Sequence, residues 1–541
     1  MIARAAALES LAREEFDVVV VGGGITGAGC ALDAATRGYS VALIEKRDFA
    51  AGTSSRSSKL VHGGLRYLQN FDLGLVREAL LERQLMVALA PHLVQPLRLV
   101  VPAFEGEHLD RLVGVGLNLY DVMSRGRRRR GEFAESWSPD RHRIVTGEEV
   151  AELLPVLADR RPTSGYLFYD CQTDDARLVL TVLQEAERFG AVLANRVEAT
   201  ELVDGGLRAF EAETGEELRI RAANVVNATG VWADRLRPGE LHDEADIPHI
   251  RPSRGTHVTV AHDDLPLVAG AILPAGGGRT IFALPWLGRT LLGTTDNDYE
   301  GELDFIAPGA GDVDYILDAA NAFFGTALGP RDLTGAYAGV RPLITSGDPK
   351  KSVDISRKAE LYETSSGMIT ITGGKLTTWR RMAKMAVDRL VERDARDAPC
   401  RTHEIPLGQA VDPAALPRVE GVPEPSYAAL AARYGHVAHD VLAVAAERGE
   451  LAQPVVDGLP DLLAEVVHAA RHDQARSLGD VLLRRTRLGL IAARDVTAQG
   501  TAQRVAAALG AELGWDDAVV GAQLRRFAEE AEAEGIVVAI A

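Results

Sequence analysis

The chain has 541 residues, 46% of them hydrophobic and 25% charged, with a formal net charge of −18. That length gives room for roughly two to four domains with large cores, and the composition is that of a soluble globular protein. So acidic a balance argues against a general nucleic-acid binder, which needs a basic surface against phosphate.

The three cysteines, Cys30, Cys171 and Cys400, form no C-x-x-C pair. This spacing argues against a disulfide framework or a zinc site and for a reducing compartment. The first residues reach Glu9, Glu14 and Glu15 without a sustained apolar core, unlike a secretory signal. No charge-free apolar stretch reaches the ~18 residues of a spanning helix. The expected location is the cytoplasm, at most on a membrane surface.

The stretch from Phe16 to Glu45 is the organising feature. Phe16-Asp17-Val18-Val19-Val20-Val21 is almost wholly β-branched, which suits a strand buried on both faces of a parallel sheet. Gly22-Gly23-Gly24-Ile25-Thr26-Gly27 follows, then a helix to about Gly38, then the strand Ser40 to Ile44 ending at Glu45. Gly22 permits a tight turn, Gly24 a close approach to a pyrophosphate, and Gly27 close packing of helix on strand. The helix N-terminus, at Ile25 and Thr26, then faces phosphate with its N–H groups and dipole. Glu45 can accept bonds from the adenosine ribose hydroxyls. The motif alone does not separate FAD from NAD.

Next comes a run of hydroxyls, glycines and cations from Ala51 to Leu68. Leu75 to Leu89 has helical spacing, stopped by Pro91, and Leu97 to Phe104 reads as a strand. Arg125-Gly126-Arg127-Arg128-Arg129-Arg130 is a dense basic run, either a solvated helix end or a segment attracted to anionic lipid. Ala176 to Phe189 predicts a helix and Ala191 to Leu202 a single strand. Val225 to Gly230 predicts a strand ending in a small-residue turn. Arg254 to Val260 and Arg279 to Thr295 predict strands of a second sheet, with Gly276-Gly277-Gly278 as a turn between them. Tyr337 to Leu343 and Met368 to Thr372 lead to Gly373-Gly374-Lys375-Leu376-Thr377-Thr378 and a helix to about Val391. Residues 392–408 are the linker candidate, and 409–541 read as helical.

Taken together, the Gly22 to Gly29 turn, Thr53 to Leu68, Tyr169 to Leu180, Asn227 to Trp232, Gly339-Val340-Arg341-Pro342-Leu343 and Gly373 to Thr378 resemble the FAD-dependent glycerol-3-phosphate dehydrogenases, within the D-amino-acid-oxidase-like flavoproteins. Arg476 to Thr486 adds a further match. Ser57-Ser58-Lys59-Leu60 followed by His62-Gly63-Gly64-Leu65-Arg66-Tyr67 is the most specific segment. The resemblance implies an α/β fold: a Rossmann-like FAD-binding domain, a mixed-sheet substrate domain and a C-terminal all-α cap domain. Expected FAD segments are about 16–95, 145–235 and 335–391, with the substrate sheet in about 96–144 and 236–334.

The same resemblance implies FAD as cofactor, sn-glycerol 3-phosphate as substrate and dihydroxyacetone phosphate as product. It also implies electron transfer to a membrane quinone from a peripheral position on the inner face of the cytoplasmic membrane. A homodimer is left open. The alternative acceptor is oxygen, as in a glycerol-3-phosphate oxidase making peroxide; such proteins tend to carry an insertion not evident here.

A phosphate calls for guanidinium forks or an ammonium, and Arg66, Arg341, Arg357 and Lys375 are carried over as substrate-pocket cations, with Tyr67 beside Arg66 as a further donor. His257 is the favoured base, since its ordinary pKa of ~6.5 suits proton removal near neutrality. Arg341 and Lys375 would assist by stabilising a developing alkoxide. Expected flavin contacts are Gly22, Gly24, Ile25, Thr26, Gly27, Glu45, Lys46, Thr53, Ser54, Ser55, Ser58, Lys59, Leu60, His62 and Gly63. Val197, Ala228, Thr229 and Gly230 would lie on the adenosine side, and Gly374, Lys375, Leu376 and Thr377 against the flavin.

Overall fold

The computed structural model describes residues 1, 3–64, 73–107, 109–124, 140–236, 249–345 and 359–536. Arg66, Tyr67, Arg357 and the basic run at 125–130 lie outside the described residues.

The valine run forms the strand Glu15–Val21, which is parallel to Val41–Glu45 on one side and to Glu217–Asn227 on the other. Val18, Val19 and Val20 are fully buried because helices and loops cover both faces of this sheet. The sheet runs from the edge strand Ala359–Glu363 through Ile369–Gly373, Glu217–Asn227, Glu15–Val21 and Val41–Glu45 to Val192–Asn195. The pair Val197–Val203 and Gly206–Glu211 extends it beside Glu217–Asn227. The helices Ile25–Thr36, Asp175–Arg188 and Trp379–Arg393 pack together on one face, burying Ala31, Leu32, Leu183, Trp379 and Ala383.

The segment expected as one strand from Ala191 to Leu202 is two. Arg196 breaks it with a left-handed backbone (φ 56°), and its side chain turns inward to the Asp480 carboxylate at 2.7 Å.

The second sheet is mixed and larger. Its main path runs Asn297–Asp298, His249–Ala261, Arg289–Gly293, Thr280–Trp286, Gly270–Pro274, Gln95–Ala103, Ser164–Gln172 and Leu60–Val61. Leu333–Thr345 pairs along almost the whole of His249–Ala261, and Arg143–Thr146 pairs with Ser164–Gln172. Two features differ from the expected segments. The strand Ser164–Gln172 and nearly all of Leu333–Thr345, which fall in the segments 145–235 and 335–391 assigned from sequence to the FAD portion, are hydrogen-bonded into this second sheet. The stretch Arg279 to Thr295 is a hairpin turning at Leu287-Gly288, and the Gly276-Gly277-Gly278 turn joins 270–274 to it rather than to 249–261.

The C-terminal part is helical from Glu424 to Ala533. The linker segment is anchored: Leu407 and Ile405 are buried, and the Leu407 N–H donates to Leu89 O at 2.8 Å. Arginines seal this part onto the first sheet. Asp473 accepts from Arg177, and Asp480 from Arg196 and Arg484, all buried.

Candidate active site

A cavity of about 1440 Å³ runs between the two sheets. At one end lies the glycine turn. Gly22 adopts φ 113°, and a Cβ there would sit 2.6 Å from Ala228 O. At Gly27 a Cβ would fall 1.8 Å from Gly22 O, so only hydrogen lets the helix reach the strand. Gly24 is the N-cap of Ile25–Thr36 and carries no capping side chain, so the first turn points its N–H groups towards the cavity. Ser54 Oγ accepts from Ile25 N at 2.9 Å and ties the hydroxyl-rich loop to that helix end.

Glu45 sits where the second strand ends. Its carboxylate accepts from Gly23 N (2.7 Å) and Arg47 N (2.8 Å). Burial raises its pKa, and these two N–H bonds partly offset that. Lys46, Thr53, Val197, Ala228, Thr229 and Gly230 complete the lining here. A glycine turn with no space for side chains, a helix N-terminus and a carboxylate two hydrogen bonds deep fit the pyrophosphate and ribose of a dinucleotide.

Ser58, Leu60, His62, Gly374, Lys375, Leu376 and Thr377 line the other end. The His62 N–H donates to Thr377 Oγ1 at 3.1 Å, and Thr377 Oγ1 donates to His62 O at 3.3 Å, locking the two glycine-containing loops together. Four expected flavin contacts do not present side chains to the cavity. Gly27 packs inside the turn, Ser55 is 1% exposed with its Oγ near Gly52 O, and Gly63 donates its N–H to Tyr120 Oη at 2.8 Å. Lys59 is fully buried, and its ammonium is held by Asp175 (2.8 and 2.9 Å) and Ser55 O (2.8 Å). A buried ammonium needs such a partner, which turns it away from the cavity.

His257 and Arg341 come from neighbouring antiparallel strands. Register pairs His257 with Tyr337, Gly255 with Gly339 and Ser253 with Arg341. The two-residue period puts all six on one face, and Gly255, His257, Gly339 and Arg341 line the cavity. His257 Nε2 lies 2.8 Å from Ser58 Oγ, and its ring stacks on Tyr337 with centroids 4.8 Å apart. Burial, with Lys59 and Arg341 nearby, drives its pKa well below 6.5, so the imidazole is neutral at pH 7.

Arg341 donates to Thr294 Oγ1 (3.3 Å) and Thr295 O (3.2 Å) and faces Asp296 at 3.5 Å. Gly255 leaves space for it, since a Cβ there would lie 2.6 Å from Arg341 Nη2. Sequence reasoning missed Asp175, Thr294, Asp296, Tyr337 and Arg487, which fix the position of the residues it did find. For Arg487 the available signal was a cluster of arginines at 484, 485 and 487 inside an otherwise apolar stretch.

Residues 17–389 match the family model "FAD dependent oxidoreductase", and residues 371–520 match "C-terminal domain of alpha-glycerophosphate oxidase". The chain belongs to the FAD-dependent glycerol-3-phosphate dehydrogenase family. It is 37% identical to glycerol-3-phosphate dehydrogenase 2 of Mycobacterium tuberculosis over 98% of this chain and 90% of that one. Glycerol-3-phosphate dehydrogenase 1 of Mycobacterium bovis is 39% identical over 88% and 92% of the two chains. A crystal structure of the Bacillus halodurans glycerol-3-phosphate dehydrogenase complexed with FAD superposes with a TM-score of 0.77 at 28% identity, covering 98% and 97%. In this family the glycine turn, Glu45 and the loops at His62 and Gly374 would hold FAD.

Proposed function

We propose that the protein oxidises sn-glycerol 3-phosphate to dihydroxyacetone phosphate and passes the electrons to a membrane quinone. The observation carrying this reading is the convergence of a neutral buried histidine and the Arg341 guanidinium on one strand-paired face beside the dinucleotide cradle. Bound FAD supplies the hydride acceptor. The protein supplies the rest.

Arg341 and Lys375 hold the phosphate, so that binding at the remote group orients the C2 carbon. Arg341 is fixed by Thr294 and Thr295, and a pre-aimed fork loses little freedom on binding an anion. His257 takes the hydroxyl proton at Nε2, the nitrogen facing Ser58 Oγ. A histidine of depressed pKa is a weak base by itself. Burial depresses that pKa most, with Lys59 and Arg341 adding; Arg341, which lines the cavity, also stabilises the alkoxide and so lowers the proton affinity of the substrate oxygen. Arg66, Tyr67 and Arg357 are proposed substrate contacts on resemblance.

The apolar stripe on the helix Arg111–Ser124 supports a membrane-derived acceptor. Leu112, Val115 and Val122 are each more than 60% exposed, while Leu117 and Tyr120 pack inward. Leu112, Val115 and Leu119 also line the cavity mouth, and the arginine run 125–130 follows at once in sequence. No described helix is long and apolar enough to cross a membrane.

The name of the second family model keeps oxygen as the competing acceptor. Reoxidation of the substrate-reduced enzyme separates the two. Fast recovery of the yellow flavin with a soluble quinone and slow recovery in air supports the quinone reading; fast recovery in air with peroxide overturns it.

A further inference from the structure

We propose that Arg487, in the helical domain, is a positioning residue of the active site: acting through Asp175 and the Ser55 to Lys59 loop, it fixes the Ser58 hydroxyl against His257. The inference rests on the reading of His257 as the base.

Arg487 is fully buried, with a left-handed backbone (φ 67°). Its Nη1 donates to Leu483 O at 2.7 Å, while Nη2 donates to Ser55 O at 2.8 Å and to Asp175 Oδ1 at 2.9 Å. Asp175 in turn grips the residues on both sides of Ser58. Its Oδ2 accepts from Ser57 N (3.0 Å) and Ser57 Oγ (2.7 Å), and both oxygens accept from Lys59 Nζ. Tyr337, stacked on the His257 ring, donates to Ser57 O at 2.8 Å.

The loop is thus held at residues 55, 57 and 59. Ser58 is left facing the cavity with its Oγ 2.8 Å from His257 Nε2. Arg487 Nε also faces Asp174 Oδ1 at 3.5 Å, so two neighbouring carboxylates face the two buried cations. Burial and the Arg487 guanidinium pull the pKa of Lys59 down to about 7, while Asp175 holds both cations, accepting from Lys59 Nζ at both oxygens and from Arg487 Nη2 at Oδ1. A merely structural pair would tolerate small shifts of this loop. A histidine that must meet a hydroxyl proton does not, because misplacement near 1 Å costs on the order of 100-fold in rate.

The test is a double-mutant cycle on the holoenzyme, reading the anaerobic rate of flavin reduction by sn-glycerol 3-phosphate. Arg487→Gln and Ser58→Ala are each expected to slow reduction roughly 10- to 100-fold with little change in the half-saturating concentration. Together they should be no slower than the slower single variant, since both break one chain of contacts. Losses that multiply, or either single variant reducing at the wild-type rate, overturn the proposal. Should Arg487→Gln lose its flavin, Arg487→Lys replaces it in the same cycle with the same outcomes. His257→Ala separates the two levels. If it reduces at the wild-type rate, the base assignment falls and the proposal with it; if it is slow while the other losses multiply, the proposal alone falls.

Discussion

Arg485 and Asp48, 437 positions apart in the chain, meet through two hydrogen bonds of 2.8 Å in a fully buried contact. Asp48 also accepts from Arg484 Nε at 2.6 Å, so one carboxylate at the end of the first βαβ unit faces two guanidinium groups of the helical domain. Asp48→Ala would take the bidentate partner from Arg485 and one of two hydrogen-bonded carboxylates from Arg484, which keeps Asp480, and is expected to destabilise the holoenzyme by about 3 kcal/mol, the lower end for breaking a buried pair. Arg485→Met leaves Asp48 paired with Arg484 and should melt at a higher temperature than Asp48→Ala. Calorimetric melting of the two variants checks this; an Asp48→Ala transition at the wild-type temperature would refute it.

Gly27→Ala tests the cradle. A methyl group 1.8 Å from Gly22 O forces the helix off the strand and displaces the turn that faces the cofactor. The variant is expected to purify with less flavin per protein, read from its visible absorbance. Gly311→Ala, where nothing lies within 4 Å, should keep its full complement. Equal flavin content in both variants would count against the cradle.

Arg341→Lys keeps the charge but loses the fork. Hydrogen bonds to charged groups contribute about 1.5–3 kcal/mol, so kcat/KM for sn-glycerol 3-phosphate should fall by roughly 10- to 150-fold. A variant with unchanged kcat/KM would remove Arg341 from the phosphate site.

Acid stability carries its own signature. Burial, first of all, lowers the pKa of His92 and of His468 to about 4; Arg177 adds to this in both, and Asp473 opposes it at His468. Below pH 6.5 the unfolded chain binds protons at these sites that the folded chain does not, so stability falls as pH drops from 6.5 towards 4. The loss is on the order of 1–3 kcal/mol per group by pH 4. His468→Gln should flatten the dependence of melting temperature on pH in this window. An unaltered slope would show that His468 is not part of it.

Much of the fold was legible because its signals are local. The valine run, Gly22 to Gly27 and Glu45 specify a strand, a turn and a strand end within thirty residues, and the structure has them in that order. What the sequence hid depends on partners far along the chain. Lys59 looks like a flavin contact until Asp175, 116 positions away, takes its ammonium. Arg196 sits within a run that reads as a strand, and only the Asp480 carboxylate explains why it bends the chain. The strands 164–172 and 333–345 carry no mark of which sheet they will join; hydrogen-bonding to 95–103 and 249–261 decides it. His257 and Arg341 were legible as residue types, but their common face comes from a register between strands more than seventy positions apart.

The most direct measurement is anaerobic reduction of the bound flavin by sn-glycerol 3-phosphate, followed in the visible spectrum of the wild-type holoenzyme and of His257→Ala. The account predicts rapid bleaching of the wild type by this substrate and not by glycerol or amino acids, with His257→Ala slower by roughly 100-fold or more. A wild-type flavin that stays yellow in excess sn-glycerol 3-phosphate would contradict the account.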